Sequence, residues 1–413
     1  MELKPGYKQT EIGVIPEDWR VRQLGDVCSV LRGGSPRPIE NYITDKEDGI
    51  NWIKIGDVGA GVKYIDTTSE KILPSGVSRS RYVKRGDFLL SNSMSFGRPY
   101  ILRTEGCIHD GWLVIGEYQD SFDTDYLYYC LSSNAVLSQY ARYAAGSSVL
   151  NLNKDIVSKV HVAIPEPNEQ SRISEVLSAL DELIDQLAGL VTKKRNMKQA
   201  AMQELLTGKR RLPGFAGEWR TVAISQVAEK ITGFWGRSEP GSEAMHSTSV
   251  IRAGDISEDG RLIGAARRYL SHHESSLAGC RPGDTVMTAS GNGLGKSWTC
   301  DQDGVYSASN FVRIIRPQRG KADGYFVGYA LKSRPARSKL VEHTATSAYP
   351  NLKPSFFHDS WLSLPPEPEQ KAISEILRDI DVEILELEAR KIKASQLKQG
   401  MMQQLLTGRI RLR

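Results

Sequence analysis

A 44-residue stretch occurs twice, and it restricts the fold more than anything else in the chain. EQSRISEVLSALDELIDQLAGLVTKKRNMKQAAMQELLTGKRRL at 169–212 returns as EQKAISEILRDIDVEILELEARKIKASQLKQGMMQQLLTGRIRL at 369–412, 200 residues later and without a gap. Twenty of the 44 positions are identical, which marks a duplication rather than shared composition. Ile173, Leu177, Leu180, Ile184, Leu187 and Val191 climb by alternating steps of four and three, the seam of a coiled-coil helix, and Ile373, Leu377, Ile380, Ile384 and Leu387 repeat it. Beyond Lys194 and Lys391 the fourfold spacing of Met197, Ala201 and Leu205, and of Leu397, Met401 and Leu405, predicts a stutter. Gly208 and Gly408 supply left-handed caps. At 1.5 Å per residue such a helix is roughly 57 Å long, with an apolar stripe too narrow for burial inside one globular domain. A coiled coil with no further role is the plain alternative, but duplication together with the whole half-chain favours a spacer.

The chain has 413 residues, 40% apolar and 25% charged, which leaves room for two or more packed domains and makes disorder unexpected. No apolar run reaches the length of a membrane span, and MELKPGYKQTEIGVIPEDW lacks the apolar core of a secretory signal, so a cytoplasmic protein without a membrane partner is expected. Five cysteines, odd in number and without CxxC spacing, read as reduced packing residues. The net charge of +5 is too mild to prove a polyanion partner. Between 193 and 211, seven basic residues face Glu204 alone. Phosphate contact and a solvated helix end account for that cluster equally well.

The duplication reaches beyond the helices. Asp18-Trp19-Arg20 corresponds to Glu218-Trp219-Arg220, WIKIGDV at 52–58 to VIRAGDI at 250–256, and YVKRGDFLLS at 82–91 to GCRPGDTVMT at 279–288. Short apolar runs at 50–55, 87–91, 112–115, 160–164, 250–253, 284–288 and 311–315 predict strands, and helical stretches are expected near 125–141 and 324–341. The expected fold class is α/β (α+β): two domains with irregular mixed sheets, separated by two long helices. The boundaries fall at 1–165 and 211–364 for the domains and at 166–210 and 365–413 for the helices. Only about seven residues separate Leu212 from Trp219, so the second domain begins near the end of the first helix. A domain of that size has a radius of gyration near 15 Å and cannot enter at one end of a ~57 Å rod and leave at the other. The helices are therefore expected to pair as an antiparallel coiled coil, pseudo-twofold symmetric, in an open dumbbell with basic rims.

The proline-rich entries IPEPNEQ and LPPEPEQ before the helices, LLTG(K/R)xRL leaving each, the opening YKQTEIGVIPEDWRVRQLGDVC and the GG(S/T)P-like element at 33–36 resemble the specificity subunit of type I restriction-modification systems. The resemblance covers the full chain. It implies two target recognition domains, each reading half of a split site on double-stranded DNA, with the helices as a ruler. It also implies a non-catalytic chain without a cofactor of its own that recruits two methyltransferase subunits carrying S-adenosylmethionine and restriction subunits using ATP and Mg. A rigid spacer registers two sites on one face of DNA only at set multiples of the ~34 Å helical turn. Divergence between the halves predicts unlike half-sites.

Base reading calls for Arg, Lys, Asn, Gln, Ser or Thr on loops. In domain one the candidates are Arg32, Ser35 and Arg37, the loop 91–98 with Asn92, Ser93 and Arg98, and Arg142 with Ser147. In domain two they are Trp235 and Arg237, the loop 290–296 with Asn292 and Lys296, and Lys339 with Ser347. Arg98 and Lys296 rank first because they sit in corresponding loops. Enzyme signatures fail together. GNGLGKS at 291–297 has serine where a phosphate loop needs its first glycine, and His272-His273 has no third ligand at metal spacing. Asp359 with Glu369 and Lys371 mimics a nuclease spacing that the other copy lacks, and Pro365-Pro366 belongs to LPPEP rather than to an adenine-methylase motif. A stand-alone DNA-modifying enzyme and a coiled-coil scaffold are the competing readings.

Overall fold

The computed structural model describes residues 3–59, 61–92, 97–144, 152–240, 245–291, 293–345 and 350–413. They fall into two compact units, Met1–Ala188 with Ala389–Arg413, and Gly189–Glu388. Each unit is one globular domain packed on a segment of each of two long helices, Pro167–Leu205 and Glu367–Leu405. At 39 residues each helix is roughly 58 Å long.

Domain one carries two mixed five-stranded sheets. The larger runs Ser29–Arg32, Trp112–Gly116, Phe88–Ser91, Pro99–Leu102, Tyr64–Ile65. Its last pair is parallel, as is the pairing of Gly106–Ile108 with Ile50–Ile53 in the other sheet. Domain two repeats the frame with a four-stranded sheet, Ala228–Thr232, Val312–Pro317, Thr285–Thr288, Ser297–Thr299, and a three-stranded one. In both, the strand that enters pairs with the strand that leaves: Arg20–Gln23 with His161–Ile164, and Arg220–Ala223 with Trp361–Leu364. That closeness is what the short link before Trp219 demands.

Each helical stretch expected inside a domain is broken. Thr124–Leu131 is followed by Asn134–Ala144, and Gly324–Lys332 by Arg334–Glu342, where Pro335 lacks the amide that a continuing helix needs. Asp123 and Asp323 cap the first helix of each pair, accepting from the Tyr126 and Phe326 amides at 2.9 and 2.8 Å. The core of domain one continues from Trp19, Phe88 and Tyr126 into Ile173, Leu177, Leu405 and Leu406, and that of domain two from Ile315 and Phe326 into Ile373, Leu377, Leu205 and Leu206. The five cysteines are buried and unpaired, and burial pushes the Cys130 thiol up to about 12.

Within each unit the helix segments run antiparallel. Ascending numbers on one meet descending numbers on the other: Lys398 pairs with Asp181 and Arg411 with Glu169 in the first unit, and Lys198 with Asp381 and Arg211 with Glu369 in the second. Ile173, Leu177, Leu187, Ile373, Leu377 and Ile384 are buried, while Leu180, Ile184, Ile380 and Leu387 are half-buried. The expected stutter is absent. Met197 and Leu397 are exposed, and the stripe continues through Val191, Lys194, Lys198, Ala201 and Leu205 in unbroken steps of three and four. Lysine can hold a seam position because its stem packs while its ammonium reaches an acid, as Lys198 does on Asp381 at 2.6 Å. A stripe traced through apolar residues alone steps over such positions.

The motifs at the helix ends are one clasp, built twice. Arg411 binds Glu169 at 2.7 Å and Asp18 at 2.6 Å, and Trp19 donates to Glu169 at 3.0 Å. Arg211 grips Glu369 through two bonds of 2.6 Å. Gln170 accepts from the Asp123 amide at 2.8 Å and Gln370 from that of Asp323 at 2.9 Å, so the Glu-Gln pair at each helix entry also holds the domain's own helix. Gly208 and Gly408 take φ of +71° and +66°, and a Cβ on Gly408 would stand 2.4 Å from Pro16. Tyr129 donates to Asp181 and Tyr329 to Asp381, both at 2.7 Å, beneath the lysines of the seam.

Candidate nucleic-acid interface

In both domains three loops meet at one end of the larger sheet. In domain one the Gly33 amide donates to Trp112 at 2.9 Å and the Asn92 amide to Gly111 at 3.1 Å, and Leu152 donates back to Asn92 at 2.9 Å. In domain two Phe234 donates to Ala308 at 2.9 Å, Ala289 to Phe311 at 3.0 Å and Leu352 to Ala289 at 2.9 Å. The first loop passes so close to the third that a Cβ on Gly33 would lie 2.2 Å from the His109 carbonyl, and one on Gly233 1.9 Å from that of Ala308. Glycine is required at both.

The side chains on this shared frame differ. In domain one they gather on Asp110. Its carboxylate accepts from Ser35 at 3.2 Å and Arg37 at 3.0 Å and lies 2.9 Å from the His109 ring. Its carbonyl accepts from Asn92 at 3.2 Å and Arg32 at 3.5 Å. Burial acts to raise the Asp110 carboxyl, but His109, Ser35 and Arg37 together hold it below the usual carboxylate value. Arg81 donates to the Arg32 carbonyl at 3.3 Å and adds a further cation. The Arg37 side chain is 76% exposed, so most of its guanidinium faces solvent. Four candidates from distant stretches, Arg32, Ser35, Arg37 and Asn92, thus converge. Asn92 is buried and spends its amide on the loop, so it shapes the edge rather than projecting from it.

In domain two Asn310 stands where Asp110 stands in domain one, and aromatic rings replace the polar cluster. Trp235 and Phe311 are 43% and 47% exposed and meet edge to face at 5.8 Å. Arg268 lies 5.2 Å over the Trp235 ring. Arg237 pairs its backbone with Tyr269 and exposes its side chain.

The remaining candidates lie elsewhere. Arg98 and Lys296 immediately precede corresponding strands, Pro99–Leu102 and Ser297–Thr299, Arg98 half-buried and Lys296 held by Glu258 at 2.7 Å. Arg142 is exposed on Asn134–Ala144, 5.3 Å over the Tyr143 ring, and Lys339 pairs with Glu342 at 2.6 Å. Ser93, Ser147, Asn292 and Ser347 lie outside the described residues. Of the seven basic residues at 193–211, Lys194, Arg195, Lys198 and Arg211 are ion-paired to Glu383, Glu388, Asp381 and Glu369, so much of that cluster is spent on helix pairing. His272 faces His246 at 3.0 Å, and no group of three metal-ligating side chains occurs among the described residues. Asp110, Arg81, Arg268 and Phe311 were not singled out from the sequence. The shift of 200 that aligns Gly33 with Gly233 and Arg37 with Arg237 also aligns Asp110 with Asn310, and that was the available signal.

The family model described as type I restriction modification DNA specificity domain matches this frame twice, at residues 16–192 and 217–396. The chain belongs to that family. DNA target recognition is accordingly the function of this type I specificity chain, and its two matches correspond to its two domains. A relative described as a putative type I restriction enzyme MjaX specificity subunit from Methanocaldococcus jannaschii is 23% identical over 441 residues, covering 98% of this chain and 97% of its own. The MjaIX specificity subunit of the same organism is 28% identical over 183 residues, covering 43% and 41%. The type I restriction-modification S subunit from M. genitalium shares the fold with a TM-score of 0.61 at 13% identity, covering 98% of each chain. A chain from work on complex assembly and conformational transition of the type I R-M system gives 0.59 at 17%, covering 96% of this chain and 99% of that one. No helix among the described residues is long and apolar enough to cross a membrane.

Proposed function

We propose that the chain reads a bipartite duplex, one half-site through each three-loop edge, and that it is the cytoplasmic assembly platform for two methyltransferase subunits and for restriction subunits. On this reading S-adenosylmethionine and ATP with Mg belong to the partners, and the chain itself performs no catalysis. The recognition domains span 1–165 and 211–364, with spacer helices at 166–210 and 365–413. The observation that carries this reading is the pair of loop edges, alike in backbone and unlike in side chains. A frame that holds position while its exposed residues change suits two readers of different sequences.

Arg32, Ser35, Arg37, Arg98, Trp235, Arg237 and Lys296 are proposed as base or phosphate contacts, with Arg142 and Lys339 on flanking phosphates. The test is co-expression with the methyltransferase subunits and sequencing of methylated adenines. A split motif is expected, and exchange of 233–238 for another loop should change one half of it only. Change in both halves, or methyl transfer or cleavage by the chain alone, overturns the proposal. Arg98→Ala should weaken cognate binding more than scrambled binding, and equal loss on both removes Arg98 from the base readers.

A further inference from the structure

Two clefts lie against corresponding stretches of the two long helices, and the domains close them differently. In the second unit the end of Pro167–Leu205 and the turn after it supply Gln199, Met202, Gln203, Thr207 and Lys209 to a cleft of about 780 Å³. In the first unit Gln399, Met402, Gln403, Thr407 and Arg409 do the same for one of about 520 Å³. The helix walls therefore match almost residue for residue. The domain walls do not: Lys332 and Arg334 of the second unit stand where Ser132 and Asn134 line the first, and Arg337 corresponds in sequence to Leu137, which does not line it.

Cations dominate the larger cleft. Arg195 and Lys198 also line it, each paired to an acid of the neighbouring helix, while the carboxylates at its rim are occupied, Glu258 by Lys296 and Asp259 by Arg261. Lys209, Arg334 and Arg337 form no ion pair among the described residues. Lys332 is the most enclosed of these cations. Its ammonium makes one marginal hydrogen bond, 3.5 Å to the Gly260 carbonyl, and lies 5.9 Å over the Tyr329 ring, and a Cβ on Gly260 would lie 2.7 Å from its nitrogen. The side chain keeps some exposed surface, but the surroundings of the nitrogen set its desolvation. That burial, with Lys198 adding to it, pushes the ammonium down to about 8. An enclosed ammonium with open donors is costly unless an anion meets it. The first turn of Arg334–Glu342 starts at the same wall, and its N-cap Ser333 makes no side-chain capping bond.

We propose that this cleft of the second unit binds a phosphoryl group, carried by a small phosphate-bearing molecule or by the DNA backbone, with Lys332, Arg334 and Arg337 as its ligands. The arginine forks match phosphate oxygens two at a time, and lysine supplies a point charge at the floor. The volume suits a nucleotide-sized ligand. The corresponding cleft of the first unit, without these cations, does not bind it. Base reading by the loop edges is a separate matter, and either proposal can fail alone.

Calorimetric titration of the full chain with pyrophosphate tests the site. One equivalent is expected to bind, with affinity at least tenfold lower in Lys332→Met and in the double variant Arg334→Gln, Arg337→Gln, and unchanged in Ser132→Ala. The exposed arginine pair keeps the test valid should Lys332→Met fold poorly. A parallel titration with duplex lacking the target separates the sources. If the variants weaken that duplex in proportion and pyrophosphate displaces it, the phosphoryl group is the DNA backbone's. If duplex binding is unchanged, a small molecule carries it. No pyrophosphate binding, two equivalents, or equal affinity in the arginine double variant overturns the proposal.

Discussion

The two loop edges differ although the domains beneath them are built alike. Domain one presents a hydrogen-bonding cluster drawn together by Asp110, and domain two presents Trp235 and Phe311 with Arg268 over the Trp235 ring. The clefts against the long helices diverge too, serine against lysine at 132 and 332. What stays fixed is the clasp: Glu169 and Glu369, Gln170 and Gln370, Asp181 and Asp381, and the arginines at 211 and 411 all keep their partners. Residues that join domain to helix serve a buried geometry and tolerate little change, whereas a side chain on the rim answers only to what it touches outside.

The largest expected effect tests whether the clasps are equivalent. Arg411→Ala leaves the Glu169 carboxylate, 6% exposed, without its cation and also releases Asp18. A fully buried pair broken this way costs 3 to 5 kcal/mol, and because Arg411 keeps some water a loss of about 2 kcal/mol is expected in urea unfolding. Arg211→Ala should cost less, since Arg211 serves Glu369 without an Asp18 counterpart; equal losses would show that Asp18 adds nothing.

The loop edges come next. Arg37→Ala should lose ~1 to 3 kcal/mol of affinity on the cognate duplex, with discrimination relaxed in one half-site only. Trp235→Ala should relax the other half-site by a similar or smaller amount. Competition binding with each half-site scrambled in turn decides this, and relaxation of the same half by both variants would break the assignment of one edge to one half-site.

Acid should act through the first clasp. Burial acts to raise Glu169, yet Arg411 and Trp19 hold it below its ordinary 4.5, and Arg411 holds Asp18 below 3.8. Stability from these lowered groups is fully present above the ordinary values and lost as pH falls through the lowered ones. Unfolding midpoints between pH 5 and 2 should fall more steeply in the parent than in Arg411→Ala.

The smallest effect belongs to the cationic cleft. Lys332 is lowered from 10.5 to about 8, so between these values the unfolded chain binds more protons and stability from this group rises with pH. Lys332→Met should therefore be more stable than the parent at pH 7, by on the order of 1 kcal/mol after allowing for solvent, and the gap should narrow by pH 10. A gap that does not change with pH would deny Lys332 its enclosed charge.

Much of the frame could be read from residues alone, because a duplicated period leaves two records of each constraint. The long helices and their seam followed from Ile173, Leu177 and their copies, and the antiparallel pairing from the length of the link before Trp219. Seam lysines were not legible, since nothing local says that Lys198 meets Asp381. Phe311 looked like the first residue of a buried strand and proved half exposed, because strand Val312–Pro317 begins one residue later. Arg32, Ser35 and Arg37 were visible as loop chemistry, but Asp110, which gathers them, lies more than 70 residues away in sequence.

The ladders formed by Arg20–Gln23 with His161–Ile164 and by Arg220–Ala223 with Trp361–Leu364 have a genetic corollary. Everything between the two strands of a ladder is a cassette with both ends at one doorway. Recombination that swaps such an insert, keeping the doorway and the clasp residues, delivers a new reader to the same rod without refitting either, so new specificities can arise by shuffling as well as by point mutation.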